Sequence, residues 1–136
     1  MDIYSESESD RKYAKVNLQD KTRKEYAQRI EDYMNSQQAF LQEDLTVGQL
    51  ANFLDIPQHH ISMAINTEFG KNFYQYVNQH RVAFAMQLLR EPGTSEENIM
   101  NVAFRSGFKS KSTFNKAFKS INNMTPTQFR KQLAIN

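Results

Sequence analysis

A pattern of small residue, turn and apolar stripe occurs twice in this chain, and it limits the fold more than any other feature. Leu50-Ala51, Asp55-Ile56, Ile61, Ile65, Gly70 and Tyr76 correspond to Val102-Ala103, Gly107-Phe108, Phe114, Phe118, Asn123 and Phe129. The interval from Asp55 to Gly70 is 15 residues and that from Gly107 to Asn123 is 16. Ala51 and Ala103 are small where two helices cross closely. Gly107 stands at a turn where a positive φ is cheap for Gly and next cheapest for Asn and Asp. The same requirement accounts for Asp55 in the first copy, and for Asn123 where the first copy has Gly70. Each copy reads as helix, short turn, helix, a supersecondary motif used to read DNA.

The remaining pattern is helical throughout. Four Gly and three Pro in 136 residues argue against a turn-rich β fold. A first helix is expected from Thr22, with Glu25 completing a capping box and Tyr26, Ile30, Tyr33 and Met34 forming one apolar stripe. A break follows near Gln42-Glu43-Asp44. A second helix carries Val47, Leu50, Ala51 and Leu54, and a third, after Pro57, carries Ile61, Ala64, Ile65 and Phe69 before Gly70 caps it. Asn72 is expected to cap a long fourth helix reaching Arg90, with Phe73, Tyr76, Val77, Ala83, Leu88 and Leu89 as apolar positions and Pro92-Gly93 as its stop. Further helices are expected near 97–106, 111–121 and 126–134. The fold class is therefore all-α: two helix-turn-helix subdomains joined by a long linking helix and preceded by one extra helix. Residues 1–19, acidic and serine-rich, read as a linker or tail. Residues 20–42 read as an amphipathic connecting helix and 43–134 as the double helix-turn-helix domain.

Charge is distributed unevenly along this pattern. The net charge is only +2, yet residues 101–136 carry seven basic side chains and no acidic one. These are Arg105, Lys109, Lys111, Lys116, Lys119, Arg130 and Lys131, interleaved with apolar residues at helical spacing. An apolar inner face with an all-positive outer face suits a polyanion, whose condensed counterions are released on binding. Without Cys the chain has no disulfide or thiolate chemistry. No apolar run approaches the roughly 18 residues of a membrane span. No nucleophile–base pair, glycine-rich phosphate loop or carboxylate pair shares a face, so no catalysis and no cofactor are expected. His59 and His60 are adjacent, but neighbours on a helix point about 100° apart, and neither Cys nor an acidic ligand stands nearby. A metal site is not expected. His59 reads as a polar surface contact and His60 as a partly buried packing residue.

The second copy resembles the signature of AraC/XylS-type transcriptional regulators. The resemblance lies in Val102-Ala103-Phe104-Arg105-Ser106-Gly107-Phe108, in the run from Ser110 to Lys119, and in Met124-Thr125-Pro126 with Phe129-Arg130. It extends upstream through Tyr76, Arg81, Ala85 and Leu88-Leu89, covering about 45–132. Asn123 replaces a usual Gly. The resemblance implies two helix-turn-helix subdomains whose recognition helices enter successive major grooves on one face of duplex DNA. A linking helix of about 19 residues spans about 28 Å, close to the ~34 Å groove repeat.

Carried over residue by residue, the second recognition helix would present Lys111, Ser112, Thr113, Asn115 and Lys116, with Ser110 as both cap and contact. Lys111 and Lys116 can donate to guanine or phosphate, and Asn115 can read adenine. The first recognition helix would present Gln58, His59, Ser62, Met63 and Asn66, with Met63 where many family members have Arg. Lys109 reads as solvated. Arg81 and Arg130 are open between an inter-subdomain ion pair and a backbone phosphate. The expected partners are double-stranded DNA and RNA polymerase, with no small-molecule site in this chain and a sensor or membrane domain in a longer parent protein. The expected location is the cytoplasm. The competing reading is a helical adaptor that meets an acidic protein through the same basic face.

Overall fold

The computed structural model describes residues 18–94 and 98–135, and the expected linker lies almost wholly outside them. Among the described residues the regular structure is entirely helical. In chain order it comprises α1 (Asp20–Gln37), a 3-10 turn (Ala39–Leu41), α2 (Val47–Leu54) and α3 (Gln58–Phe69). These are followed by α4 (Phe73–Arg90), a second 3-10 turn (Pro92–Thr94), α5 (Ile99–Arg105), α6 (Lys111–Asn122) and α7 (Pro126–Ile135). Among the described residues, no helix is long and apolar enough to cross a membrane. The helices group into two compact units, residues 46–73 with α1 in one, and residues 37–45 with 74–136 in the other.

In the first unit, α1 begins at Asp20, two residues before the expected start. Asp20 supplies negative charge to the first turn and pairs with Arg23 at 2.9 Å, while Gln19 carbonyl accepts from Arg23 amide. Thr22 is therefore inside the helix and does not cap it. Ala27, Ile30 and Met34 form the buried stripe, with Tyr26 and Tyr33 half-buried at its edges. Tyr26 stacks on His60 and Tyr33 packs against Phe53. Arg23 Nε donates to Glu68 at 2.7 Å, and Arg29 donates to the Leu54 carbonyl. These bonds make α1 an integral part of the unit that holds α2 and α3. A capping box starts α2: Thr46 Oγ1 accepts from Gln49 amide, and Gln49 Oε1 accepts from Thr46 amide. Leu50, Ala51 and Leu54 meet Ile61, Ala64 and Ile65 in the core.

The second unit repeats this arrangement with aromatic filling. Phe108, Phe114, Phe118 and Phe129 form a buried relay with successive ring centroids 5.2, 5.7 and 5.5 Å apart. Val82, Ala85, Leu88 and Leu89 of α4 and Val102 and Ala103 of α5 close the core. Ala83, expected among the apolar positions of α4, is exposed, and Ala85 takes the buried place. Thr125 and Gln128 repeat the Thr46–Gln49 capping box at the start of α7.

The two turns share a positive φ and one hydrogen bond, though the Asp55 amide bonds the Ala51 carbonyl and the Gly107 amide that of Phe104. Asp55 and Gly107 both have positive φ, 55° and 96°, and the next amide, Ile56 or Phe108, donates back to the carbonyl of Ala51 or Ala103. Gly70 (φ 66°) and Asn123 (φ 58°) end α3 and α6 in the same left-handed conformation. Gln38 (φ 50°) also adopts it, ending α1 earlier than the break anticipated at Gln42. No glycine marks that turn, so the sequence carried no signal for it.

Arg81 of α4 is buried beside Gly107. Its Nε donates to the Phe40 carbonyl at 2.7 Å, another guanidinium nitrogen donates to the Gln42 carbonyl at 2.7 Å, and its charge lies 5.8 Å from the Phe108 ring centre. Burial pushes the guanidinium below the usual arginine range, with Glu43 and Asp44 acting the other way. Arg81 takes a structural place, but instead of the expected ion pair between subdomains its partners are backbone carbonyls of its own unit.

A Cβ on Gly107 would fall 2.5 Å from the Phe40 carbonyl oxygen and 3.0 Å from Leu41 Cα, whereas one on Gly70 would meet nothing within 4 Å. Gly70→Ala should therefore lose only the left-handed strain, about 1–2 kcal/mol. Gly107→Ala adds a backbone collision and should lose more than about 4 kcal/mol. Thermal melts of the two variants should separate by more than about 10 °C, and similar midpoints would contradict the crowding at Gly107.

Candidate nucleic-acid interface

The outer face of α6 follows from what its inner face buries. Phe114 and Phe118 are fully buried and Ala117 is half-buried beside them. At about 100° per residue, Lys111, Asn115, Ser112 and Lys116 then fall on a single arc of about 140° that runs from the edge of this stripe to the side opposite it. Lys111, Ser112 and Lys116 are exposed and Asn115 is half-buried. Thr113 is also exposed, about 60° beyond the edge of this arc. Ser110 caps the helix: its Oγ accepts from Thr113 amide at 3.2 Å and donates to Thr113 Oγ1 at 3.0 Å. Both hydroxyls are thus partly engaged with each other. Alongside α6 lies an open cleft of about 800 Å³, whose walls include Lys111, Ser112, Asn115, Lys116, Lys119 and Arg130.

Lys109 is exposed, in keeping with its solvated reading, but it also has a partner. It pairs with the Asp44 carboxylate, which holds its ammonium above the usual lysine range through the hydrogen bond first and the charge second. Both side chains are exposed, so the pair is worth little to stability. Asp44 is distant in sequence, which is why counting charges along residues 101–136 could not reveal it.

The equivalent face of α3 carries no charge. Gln58, His59 and Asn66 are exposed, while Ser62 and Met63 are half-buried. Gln58 lies against α2, its Oε1 3.4 Å from where a Cβ on Gly48 would stand. His60 is half-buried between Tyr26, at 5.9 Å between ring centres, and His59, at 4.4 Å. Its Nδ1 is buried without a hydrogen-bond partner among the described residues. Burial, and then the neighbouring His59, pushes its imidazole below the ordinary histidine range. No group of three or more His, Asp or Glu that could hold a metal occurs among the described residues.

Comparison with known proteins agrees with this geometry. A family model described as "Helix-turn-helix domain" matches residues 50–132, more than half of the chain. The chain belongs to the helix-turn-helix domain family, in its AraC-type form with two units. An uncharacterized HTH-type transcriptional regulator of Staphylococcus aureus (strain COL) is 28% identical over 88 residues, which cover 65% of this chain and 11% of that protein. The chain therefore spans only about a tenth of that relative's length. The C-terminal domain of AraT, a response regulator from Geobacillus stearothermophilus, is 29% identical with a TM-score of 0.67, covering 79% of this chain and 84% of that one. A Chromobacterium violaceum transcriptional regulator with an AraC-type DNA-binding domain shares the fold at a TM-score of 0.69 and 20% identity, over 82% of this chain and 94% of its own.

Two outcomes follow from the local chemistry. Ser110→Ala should lower stability by about 1 kcal/mol through loss of the cap, and Ser110→Asp, which can accept the same amide, should restore it; equal losses in chemical denaturation would refute the capping role. His60 has its folded pKa depressed, so unfolding takes up a proton. Stability is then full above the unfolded value near 6.5 and falls as pH drops below it. Thermal midpoints measured at about pH 7.5 and about pH 5.5 should differ less for His60→Phe than for the unsubstituted chain.

Proposed function

We propose that this chain is the DNA-binding part of a transcriptional regulator, reading duplex DNA with α3 and α6. The observation that carries the reading is the outer arc of α6, where Lys111 is exposed at the edge of a fully buried phenylalanine stripe and Lys116 opposite it. Lys111 and Lys116 donate to phosphate or to guanine O6 and N7, and Asn115 reads adenine. Ser112 and Thr113 add hydroxyl donors, and Ser110 fixes the first turn while facing the backbone. From α3, Gln58, His59, Ser62, Met63 and Asn66 supply neutral contacts to base edges. The names of the relatives, regulators and response regulators, agree with this role.

The bipartite form of the proposal, two successive major grooves, rests on the duplicated unit and on the length of α4. RNA polymerase as partner, a cytoplasmic site of action, a sensor or membrane domain elsewhere in a longer parent and the absence of catalysis belong to the same reading. An adaptor for an acidic protein, meeting it through the same basic face, is less well supported, because the family match spans both units.

In vitro selection of duplex sequences tests the proposal directly, and failure to enrich any sequence over a scrambled control would refute it. With the selected duplex, footprinting should show two protected patches about one helical turn apart. Lys116→Ala should weaken binding and flatten the log–log salt slope by about one unit if it contacts phosphate. Substitution of His59 should change sequence preference more than salt slope. Equal slope changes from both helices would contradict this division.

A further inference from the structure

The register of the duplication singles out a residue beyond the α6 contacts named above. The same shift that carries Ile61 to Phe114 and Ile65 to Phe118 carries Gln58, His59, Ser62 and Met63 to Lys111, Ser112, Asn115 and Lys116. It carries Asn66, the last member of the α3 face, to Lys119. Lys119 is exposed, and at about 100° per residue it falls near the middle of the arc spanned by Lys111 and Lys116. It lies eight residues beyond Lys111, about 12 Å along the helix axis, which is about the ~12 Å width of the major groove. If the first turn of α6 faces base edges, Lys119 stands at the groove wall, where the phosphates are.

The cleft beside α6 has the matching chemistry. Thr127 and Arg130 from α7 line it together with Lys111, Lys116 and Lys119, and among the described residues that line it there is no carboxylate. We propose that this cleft seats consecutive phosphates of one DNA strand, with Lys119 as the cation on the α6 wall and Thr127 and Arg130 on the α7 wall. Lys119 is thus a backbone-positioning contact that strengthens binding without selecting sequence. The proposal rests on the reading of α6 as a recognition helix.

The test uses the full chain and the selected duplex, with Lys119→Ala, Lys119→Arg and duplexes in which single phosphates flanking the C-terminal patch are replaced by neutral methylphosphonates. Lys119→Ala should reduce the log–log salt slope by about one unit and weaken selected and scrambled duplexes by the same factor, about tenfold near 0.1 M salt. Lys119→Arg should keep the slope. One or two neutral phosphates should weaken the unsubstituted chain by a similar factor and cause no further loss in Lys119→Ala, because the contact they remove is already gone. An unchanged slope, or additive losses for every phosphate position, overturns the proposal. So does saturable binding of inorganic pyrophosphate at Lys119 with an unchanged duplex slope, since the cleft would then hold a free polyphosphate. Failure of the unsubstituted chain to prefer the selected duplex over the scrambled one appears before any variant is made, and overturns the underlying reading as well.

Discussion

The guanidinium of Arg81 is the point on which the second unit depends. The turn of 3-10 helix at Ala39–Leu41 carries the buried Phe40, and a buried carbonyl without a donor destabilises a fold by about 1–3 kcal/mol. Arg81 donates to the Phe40 carbonyl and also to that of Gln42, which accepts from the Leu45 amide as well, while its charge lies near the Phe108 ring. A lysine offers a single point charge and no plane to cover the ring. Gly107 is drawn into the same knot, because the chain at Phe40 and Leu41 passes where any side chain at 107 would stand. The turn that precedes α6 is therefore held from outside its own helix pair, by a segment more than sixty residues earlier in the chain.

The duplicated units share a backbone solution and differ in what they present. Both use an alanine crossing, a left-handed turn and a left-handed helix end. The first fills its core with aliphatic side chains and shows a neutral outer face, whereas the second fills it with phenylalanine and shows lysine. Phosphate attraction is long-ranged and insensitive to sequence, while contacts to base edges are short-ranged and selective. On the reading proposed above, α6 adds to its base contacts a long-range attraction that the neutral face of α3 lacks.

Much of this was legible in the residues. The left-handed positions at Asp55, Gly70, Gly107 and Asn123 follow from which side chains tolerate positive φ, and the helix bounds follow from periodicity and caps. Gln38 was hidden because glutamine has no special preference for that conformation. The true start of α1 was hidden because Thr22 offered a plausible cap and the Asp20–Arg23 pair is a weaker signal. Of the candidate site, the exposed arcs of α3 and α6 could be read from the buried stripes opposite them. The carbonyl partners of Arg81 and the Asp44 partner of Lys109 could not, since both arise from contacts between residues far apart in sequence. Lys119 was within reach of the repeat register, which assigns it the place held by Asn66.

The crowding at Gly107 also makes the two turns unequal as interchangeable parts. Asp55 and Gly107 both have positive φ, and the amide after each bonds the carbonyl of the crossing alanine, so a residue that tolerates positive φ would suit either turn by its own backbone. The neighbours decide otherwise: a side chain at 107 collides with main chain that Arg81 holds in place. The second unit's turn can be transplanted into the first, but the first unit's turn cannot be transplanted into the second. A protein engineer recombining such repeats would find the exchange permitted in one direction only.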